Sequence, residues 1–290
     1  MRSAARDEVD GLWRCELRAG TTALPSPCLV VSWTGVLRDC ARVPLPSPAL
    51  VSWCPSRGQT WWVARTWALV LAAGAGTRFG AVAGGASKAM VSVAGRSMVG
   101  WSVEAAGVAC DGVTLVVAPS MVEEQYTGVD VIVEGGDTRS GSVRAGLATV
   151  PGDVDVVVCH DAARPGASAG LFERVIAAVR GGVDAAVPAL AVSDTLKRVP
   201  EWGDSGGVVA GTVNRSGLFG VQTPQAFRRA ALVAAHDGEP EATDDAALVE
   251  AAGGTVMAVP GEAAAHKVTT AADLVVVEAL LGGRGSGDGL

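Results

Sequence analysis

The sequence predicts an α/β fold, a mostly parallel β-sheet covered by helices on both faces. Three observations predict it. From Trp67 onward, short apolar runs alternate with stretches of helical period, the pattern of strands joined by helical crossovers. The runs are continuously apolar, as strands buried on both faces require. A glycine-rich loop directly follows the first run, at the sheet edge where open parallel sheets hold their ligands.

The elements follow in order. The first strand is Trp67 to Leu71. Ser97 to Val108 carries a helical period, and Val113 to Ala118 (VTLVVA) is the next strand. Val129 to Val133 follows, then a helix over Ser140 to Thr149 and a strand from Val154 to Cys159 (VDVVVC). A helix over Ser168 to Arg180 leads to a shorter strand, Asp184 to Pro188. From Val192 the alternation lapses. Asp194-Thr195-Leu196-Lys197-Arg198, a Gly-rich turn at Gly203 to Gly207 and Val208 to Val213 read as a β-hairpin. That hairpin, residues 192–216, is expected to project as an arm and to bind a partner subunit. Thr223-Pro224-Gln225 is expected to open a helix and Thr243-Asp244-Asp245 to cap another, with Thr243 as the N-cap. Ala265-His266-Lys267-Val268-Thr269 precedes the last helix.

Composition narrows the function. Of 290 residues, 49% are hydrophobic and 18% charged, enough for a full core. No apolar run reaches the ~18 residues that span a membrane. The six cysteines form no C-x-x-C pair and show no metal spacing. Cys110 and Cys159 lie in apolar contexts and are read as inert core thiols, in keeping with a reducing cytoplasm. The chain changes character near residue 65. The first 65 residues hold five of eight tryptophans, four of six cysteines, and eight arginines against five acids. Their prolines break every apolar run. They are expected to form an extension, disordered, partner-binding or translated from a misplaced start, with the domain at 66–282 and a flexible tail at 283–290. The remaining residues are strongly acidic, which argues against general nucleic-acid binding. Their positive charge must be concentrated where a ligand demands it.

One such place is Ala72-Ala73-Gly74-Ala75-Gly76-Thr77-Arg78-Phe79-Gly80, followed by Lys88. Backbone N–H groups in a glycine loop at a strand end suit a polyphosphate, and Arg78 and Lys88 add two positive charges. Only three lysines occur in the chain, Lys88, Lys197 and Lys267, so a lysine here marks a need for a compact point charge. The spacing Gly74, Gly76, Gly80 is not the dinucleotide fingerprint, and no Gly-Lys-Ser/Thr of a P-loop occurs. Three further polar clusters follow strand ends: Gly135-Gly136-Asp137-Thr138-Arg139-Ser140-Gly141-Ser142, His160-Asp161-Ala162-Ala163-Arg164-Pro165, and the stretch after Pro188. Each has a plainer reading. Asp137 caps the following helix with Ser142 exposed on it, Asp161 and Arg164 pair locally, and Thr243 is an N-cap. His160, flanked by an apolar strand, is read as structural rather than as a base.

Taken together, AAGAGTRFG, GGDTRSGSV, HDAARP, SDTLKR, VNRSGLFGVQTPQ, TDDAA and HKVT closely resemble the 2-C-methyl-D-erythritol 4-phosphate cytidylyltransferases of the non-mevalonate isoprenoid pathway, over residues 67–281. The resemblance implies a Rossmann-like sheet of the nucleotide-diphospho-sugar transferase type, CTP and a sugar-alcohol phosphate as substrates, Mg²⁺, and a homodimer. It implies that Ala72, Ala73, Gly74, Gly76 and Thr77 wrap the triphosphate, with Arg78 and Lys88 neutralising it. Gly136, Asp137, Arg139 and Ser142 would hold cytosine and ribose. Asp161 would lie by the metal-bound phosphates, the metal being held mainly through them. Arg164, Thr195, Arg215, Thr223, Thr243 and Lys267 would bind the sugar phosphate, Arg215 from the partner's arm, with Arg78, Lys88, Arg215 and Lys267 catalytic. The chain departs from the family in its Ala/Gly-rich loop from Gly80 to Ser87, with Ser87 where proline is usual. A ribitol 5-phosphate cytidylyltransferase shares most of these motifs. A nucleotide-binding protein without turnover is the alternative of another class.

Overall fold

The computed structural model describes residues 52–54, 59–61, 65–74 and 88–282. The chain divides into two units, Met1–Ala64 and Arg65–Leu290. In the first, Ser52–Cys54 (β1) and Gln59–Trp61 (β2) pair antiparallel, a short regular element in a stretch whose sequence shows no period.

The second unit is built on an eight-stranded sheet. Its strands are Arg65–Leu71 (β3), Gly112–Val117 (β6), Val131–Glu134 (β7), Val154–Asp161 (β8), Ala185–Ala191 (β9), Phe219–Val221 (β12), Gln225–Arg228 (β13) and Val256–Pro260 (β14). Two small antiparallel pairs lie outside it, Ser92–Val93 (β4) with Arg96–Ser97 (β5), and Leu196–Arg198 (β10) with Gly211–Val213 (β11). The order across the sheet is β12-β9-β13-β8-β3-β6-β7, with β14 beside β9. The pairs β8–β3–β6–β7 and β9–β14 are parallel. β3 is central, β6 and β7 lie to one side of it, and β8 lies to the other. The carboxyl ends of β3 and β8 therefore flank the switch point where such sheets take their ligands.

Helices cover both faces, as the alternation predicts. Met98–Ala109 (α1) and Ala169–Arg180 (α3) pack together on one face; Arg139–Leu147 (α2), Arg229–Ala235 (α4) and Asp245–Ala251 (α5) pack on the other. Ala271–Gly282 (α6) packs beside β4. α3 shows why these segments are helical: Leu171, Phe172, Val175, Ile176 and Val179 recur on one buried stripe. Side-chain caps start each of the three earlier helices, Ser97 for α1, Thr138 for α2 and Ser168 for α3, each accepting from the amide three residues on. Trp67, Leu69, Val157 and Phe227 belong to one core under α2, α4 and α5.

Two sequence expectations are corrected. Thr223-Pro224-Gln225 opens no helix: Gln225–Arg228 is strand β13, antiparallel between β8 and β9, and the helix begins at Arg229. A threonine before Pro fits a helix start and an extended entry equally. Burial of Gln225, Ala226 and Phe227 decides for the strand. The N-cap of α5 is Asp244, whose carboxylate accepts from Ala247, and not Thr243, which is exposed. The hairpin of residues 192–216 forms as expected, with Lys197 opposite Thr212 and exposed strands.

Candidate active site

A cleft of about 690 Å³ opens at the carboxyl ends of β3, β6, β7 and β8. β3 leads into Ala72, Ala73 and Gly74; β7 and the loop after it supply Glu134 to Thr138, and α2 opens with Arg139; β8 delivers Asp161; Lys88 opens the 3-10 turn Lys88–Met90, and Lys267 lies in the segment before α6. The loops after β3 and β7 meet closely: a Cβ on Gly135 would fall 2.3 Å from the Ala73 Cβ, so only glycine fits there. Residues 75–87, with Gly76, Thr77 and Arg78, lie outside the described residues.

Asp161 organises the floor. Its Oδ2 accepts from Lys267 Nζ at 2.7 Å and its Oδ1 from Arg139 Nε at 3.3 Å. Burial alone would raise this carboxyl, but Arg139 and Lys267 hold it well below the usual carboxylate range. The plainer alternative, a local side-chain ion pair with Arg164, does not form. Arg164 instead donates to the Ala265 carbonyl at 2.8 Å and the Val221 carbonyl at 3.4 Å. Gly166 permits this approach, since a Cβ there would sit 2.0 Å from the Ala264 carbonyl oxygen. Arg164 thus ties the loop after β8 to the segment carrying Lys267.

Arg139 is gripped from behind. Its Nη1 donates to Asp245 Oδ2 at 2.7 Å, and Asp245, with no exposed surface, meets His236 Nε2 through Oδ1 at 3.1 Å. Burial would lower the guanidinium, yet the carboxylates of Asp245 and Asp161 keep it charged. Lys88 begins a 3-10 turn and donates from Nζ to the Val268 carbonyl.

The remaining sequence-predicted residues fall into three groups. Gly136, Asp137, Arg139 and Ser142 line the cleft. Asp137 does not cap α2, because Thr138 does, and Ser142 is buried rather than exposed, its hydroxyl donating to the Thr138 carbonyl at 2.9 Å. Thr223 lies beneath the cleft: its hydroxyl accepts from the Asp161 amide at 3.0 Å and pairs with His160 Nδ1 at 3.2 Å. His160 is structural as expected, fully buried against Phe172 and pushed down to about 3 by desolvation. Thr195, Arg215 and Thr243 stand away from the lining. Arg215 is exposed on the arm and donates to the carbonyls of Val192 and Ser193. Cys159 is a buried free thiol raised by desolvation, and Cys110 is pushed up to about 12 by burial, so both are inert.

Sequence reasoning missed Asp245 and His236 as parts of the site. It also missed Glu134, Thr138 and Thr269 in the lining. Asp245 carried one signal, a second acid directly after a cap, more acid than capping needs.

Chemically, Arg139 and Lys267 hold one buried carboxylate and Lys88 lines the same cleft, with no Ser-His or Cys-His pair among the lining residues. That composition suits phosphate chemistry run by charge and positioning. Comparison with known proteins agrees. The family model for 2-C-methyl-D-erythritol 4-phosphate cytidylyltransferase matches residues 66–283. The bifunctional enzyme IspD/IspF of Clavibacter michiganensis is 47% identical over 226 residues, covering 73% of this chain and 53% of that enzyme, so this chain spans about half of it. The 2-C-methyl-D-erythritol 4-phosphate cytidylyltransferase of Frankia casuarinae is 45% identical over 223 residues, 75% of this chain and 81% of that protein. The crystal structure of the Thermus thermophilus enzyme of that name superposes with a TM-score of 0.63 at 36% identity, over 74% of this chain and 98% of the other. With the family model matched from the first sheet strand to the end of α6, and the cationic cleft at the switch point, this chain belongs to the 2-C-methyl-D-erythritol 4-phosphate cytidylyltransferase family.

Proposed function

We propose that this chain transfers the cytidylyl group of CTP to the phosphate of 2-C-methyl-D-erythritol 4-phosphate, releasing pyrophosphate, in the cytoplasm. The observation that carries the reading is Asp161 ringed by Lys267 and Arg139 at the switch point, with Lys88 on the same cleft. A phosphate monoester oxygen attacks the α-phosphorus in line. This nucleophile is already an anion, so no general base is needed; the obstacle is repulsion between two anions. Lys88 and Lys267 answer it with charge, and the loops after β3 and β7 answer it with position. Lys267, held by Asp161 without substrate, exchanges that partner for phosphate oxygen. Arg164 holds the segment bearing Lys267 in reach.

The residues fit a divalent cation carried mainly by the triphosphate. Among the described residues no cluster of three His, Cys, Asp or Glu gathers, and Asp161 is the buried carboxylate of the cleft. Mg²⁺ characteristically binds through one or two carboxylates plus phosphate oxygens. Asp161 would be its protein ligand, and bound there Mg²⁺ supplies charge neutralisation and polarisation of the phosphoryl group. Ser142 and the carbonyls near Gly136 face the cytosine. The Gly135 amide is already engaged by the Val117 carbonyl, so it is not available to the base.

The working unit is a homodimer joined through the arm. Trp202, Val208 and Val209 on the arm and Phe219 and Val221 on β12 are exposed apolar side chains, the kind that a partner subunit covers. Arg215 and Thr195, which are not among the lining residues of their own cleft, serve the partner's sugar phosphate. The test is pyrophosphate release from CTP with Mg²⁺, comparing methylerythritol phosphate with ribitol 5-phosphate. Turnover with the first and none with the second is expected. The reverse, or turnover with neither, rejects the reading.

A further inference from the structure

Resting on that reading, we propose that Asp245, backed by His236, is a positioning residue that prevents Arg139 from closing a two-pronged fork on Asp161. The geometry is specific. Arg139 reaches Asp161 through Nε alone, and loosely, at 3.3 Å. The neighbouring nitrogen on that edge, Nη2, is buried with no hydrogen-bond partner. Guanidinium and carboxylate strongly prefer two parallel hydrogen bonds, and Nε with Nη2 is one edge able to make them. What opposes the fork is the far nitrogen. Nη1 is drawn to Asp245 at 2.7 Å, the shorter of the two contacts, and Asp245 has 0% exposure. Its other oxygen is fixed by His236 Nε2, so the carboxylate cannot follow Arg139 toward Asp161. The result is an arginine shared between two acids, and an Asp161 that keeps Oδ2 for Lys267 and whatever replaces it.

Substitution of Asp245 by asparagine removes the pull and keeps the shape. Arg139 then closes on Asp161 with both Nε and Nη2, and Lys267 loses its hold on Oδ2. The crystal structure of Asp245→Asn reads this directly, and the Arg139 side-chain Nε resonance, shifted by the shorter bond, reads it in solution. Both measurements stand whether or not CTP is the substrate; wild-type turnover of CTP tests that separately. In kinetics, kcat/KM falls by about 10- to 100-fold, the scale of a misplaced catalytic group. Arg139→Lys produces a similar loss, because a single ammonium cannot bridge both acids, while its charge still balances buried Asp245 and keeps the fold. Adding Asp245→Asn to Arg139→Lys costs nothing more. An unmoved guanidinium with an unshifted resonance, additive losses in the double variant, or wild-type kcat/KM in Arg139→Lys would each overturn the proposal.

Discussion

Two of the three lysines in this chain line the cleft, and the third, Lys197, donates to Thr212 on the arm. Rarity thus pointed to position, because a sequence that otherwise uses arginine keeps lysine where a compact, mobile charge must exchange partners. Lys88→Ala is expected to lower kcat by ~10²–10³. It should leave the melting temperature nearly unchanged, since Lys88 is only half-buried, on the lining of the cleft and outside the hydrophobic core. Near-normal turnover in the purified variant would remove Lys88 from the machinery. Residues that line the cleft were legible in this way, through residue type at strand ends. Residues that hold them were not: nothing in the string ARPGASAG reveals that Arg164 will reach Ala265, or in AAHDG that His236 will back Asp245. Such contacts join side chains to groups on separate elements, and a single sequence carries no record of them. His160 supports a prediction on pH. Its folded-state pKa is depressed to about 3 from an ordinary ~6.5. Between those values the unfolded chain binds a proton that the folded chain does not, so stability falls as pH drops through that window. At pH 5 the loss from this residue is about 2 kcal/mol relative to pH 7. His160→Asn, which keeps a polar atom near Thr223, should be less stable at pH 7 but lose less between pH 7 and pH 5. An equal loss in variant and wild type would show that the acid sensitivity lies elsewhere.

At the scale of elements, sequence read best where burial is continuous. β6 is buried at all six positions, and β8 at seven of eight; both stand where their apolar runs place them. Reading failed at Thr223, where one threonine–proline pair fits two structures and the choice is made by neighbours. β13 inserts between β8 and β9, and its register, Gln225 opposite Cys159, is set by strands distant in the chain. The insertion has a consequence for the site: it brings Thr223 under Asp161, where its hydroxyl accepts from the Asp161 backbone amide. The arm illustrates the opposite case, a hairpin whose local turn signals suffice to define it. The proposed dimer and the arm's function in it are testable by complementation. If Arg215 serves the partner's cleft, an Arg215→Ala chain and a Lys88→Ala chain are each defective alone. In a mixed dimer one of the two sites has both residues intact. A freely exchanging equal mixture should recover activity in about a quarter of its sites. Mixtures shown to exchange subunits, yet without recovery, would place Arg215 and Lys88 on the same chain's site or Arg215 outside the chemistry.

At the scale of the molecule, the question is how much of the chain the enzyme needs. The eight-stranded sheet begins at Arg65, and every strand in it lies between Arg65 and Pro260. The family match begins at residue 66. Arg65 itself belongs with the sheet, since its guanidinium meets the Asp153 carboxylate at 2.8 and 2.9 Å before β8. The cleft draws its described lining from residues 71–269. The charge contrast at residue 65, basic before and acidic after, marks the same boundary in the sequence. Any attraction between two such segments is screened within ~10 Å at moderate salt. A chain beginning at Arg65 should therefore keep the melting temperature and the kcat/KM of the full chain, at 0.15 M salt and at low ionic strength alike. The measurement is a paired thermal melt and pyrophosphate-release assay on both lengths. A drop of several degrees on truncation would mean that the early tryptophans contribute to the core. An unchanged melt with altered kcat/KM would instead assign residues 1–64 a part in catalysis.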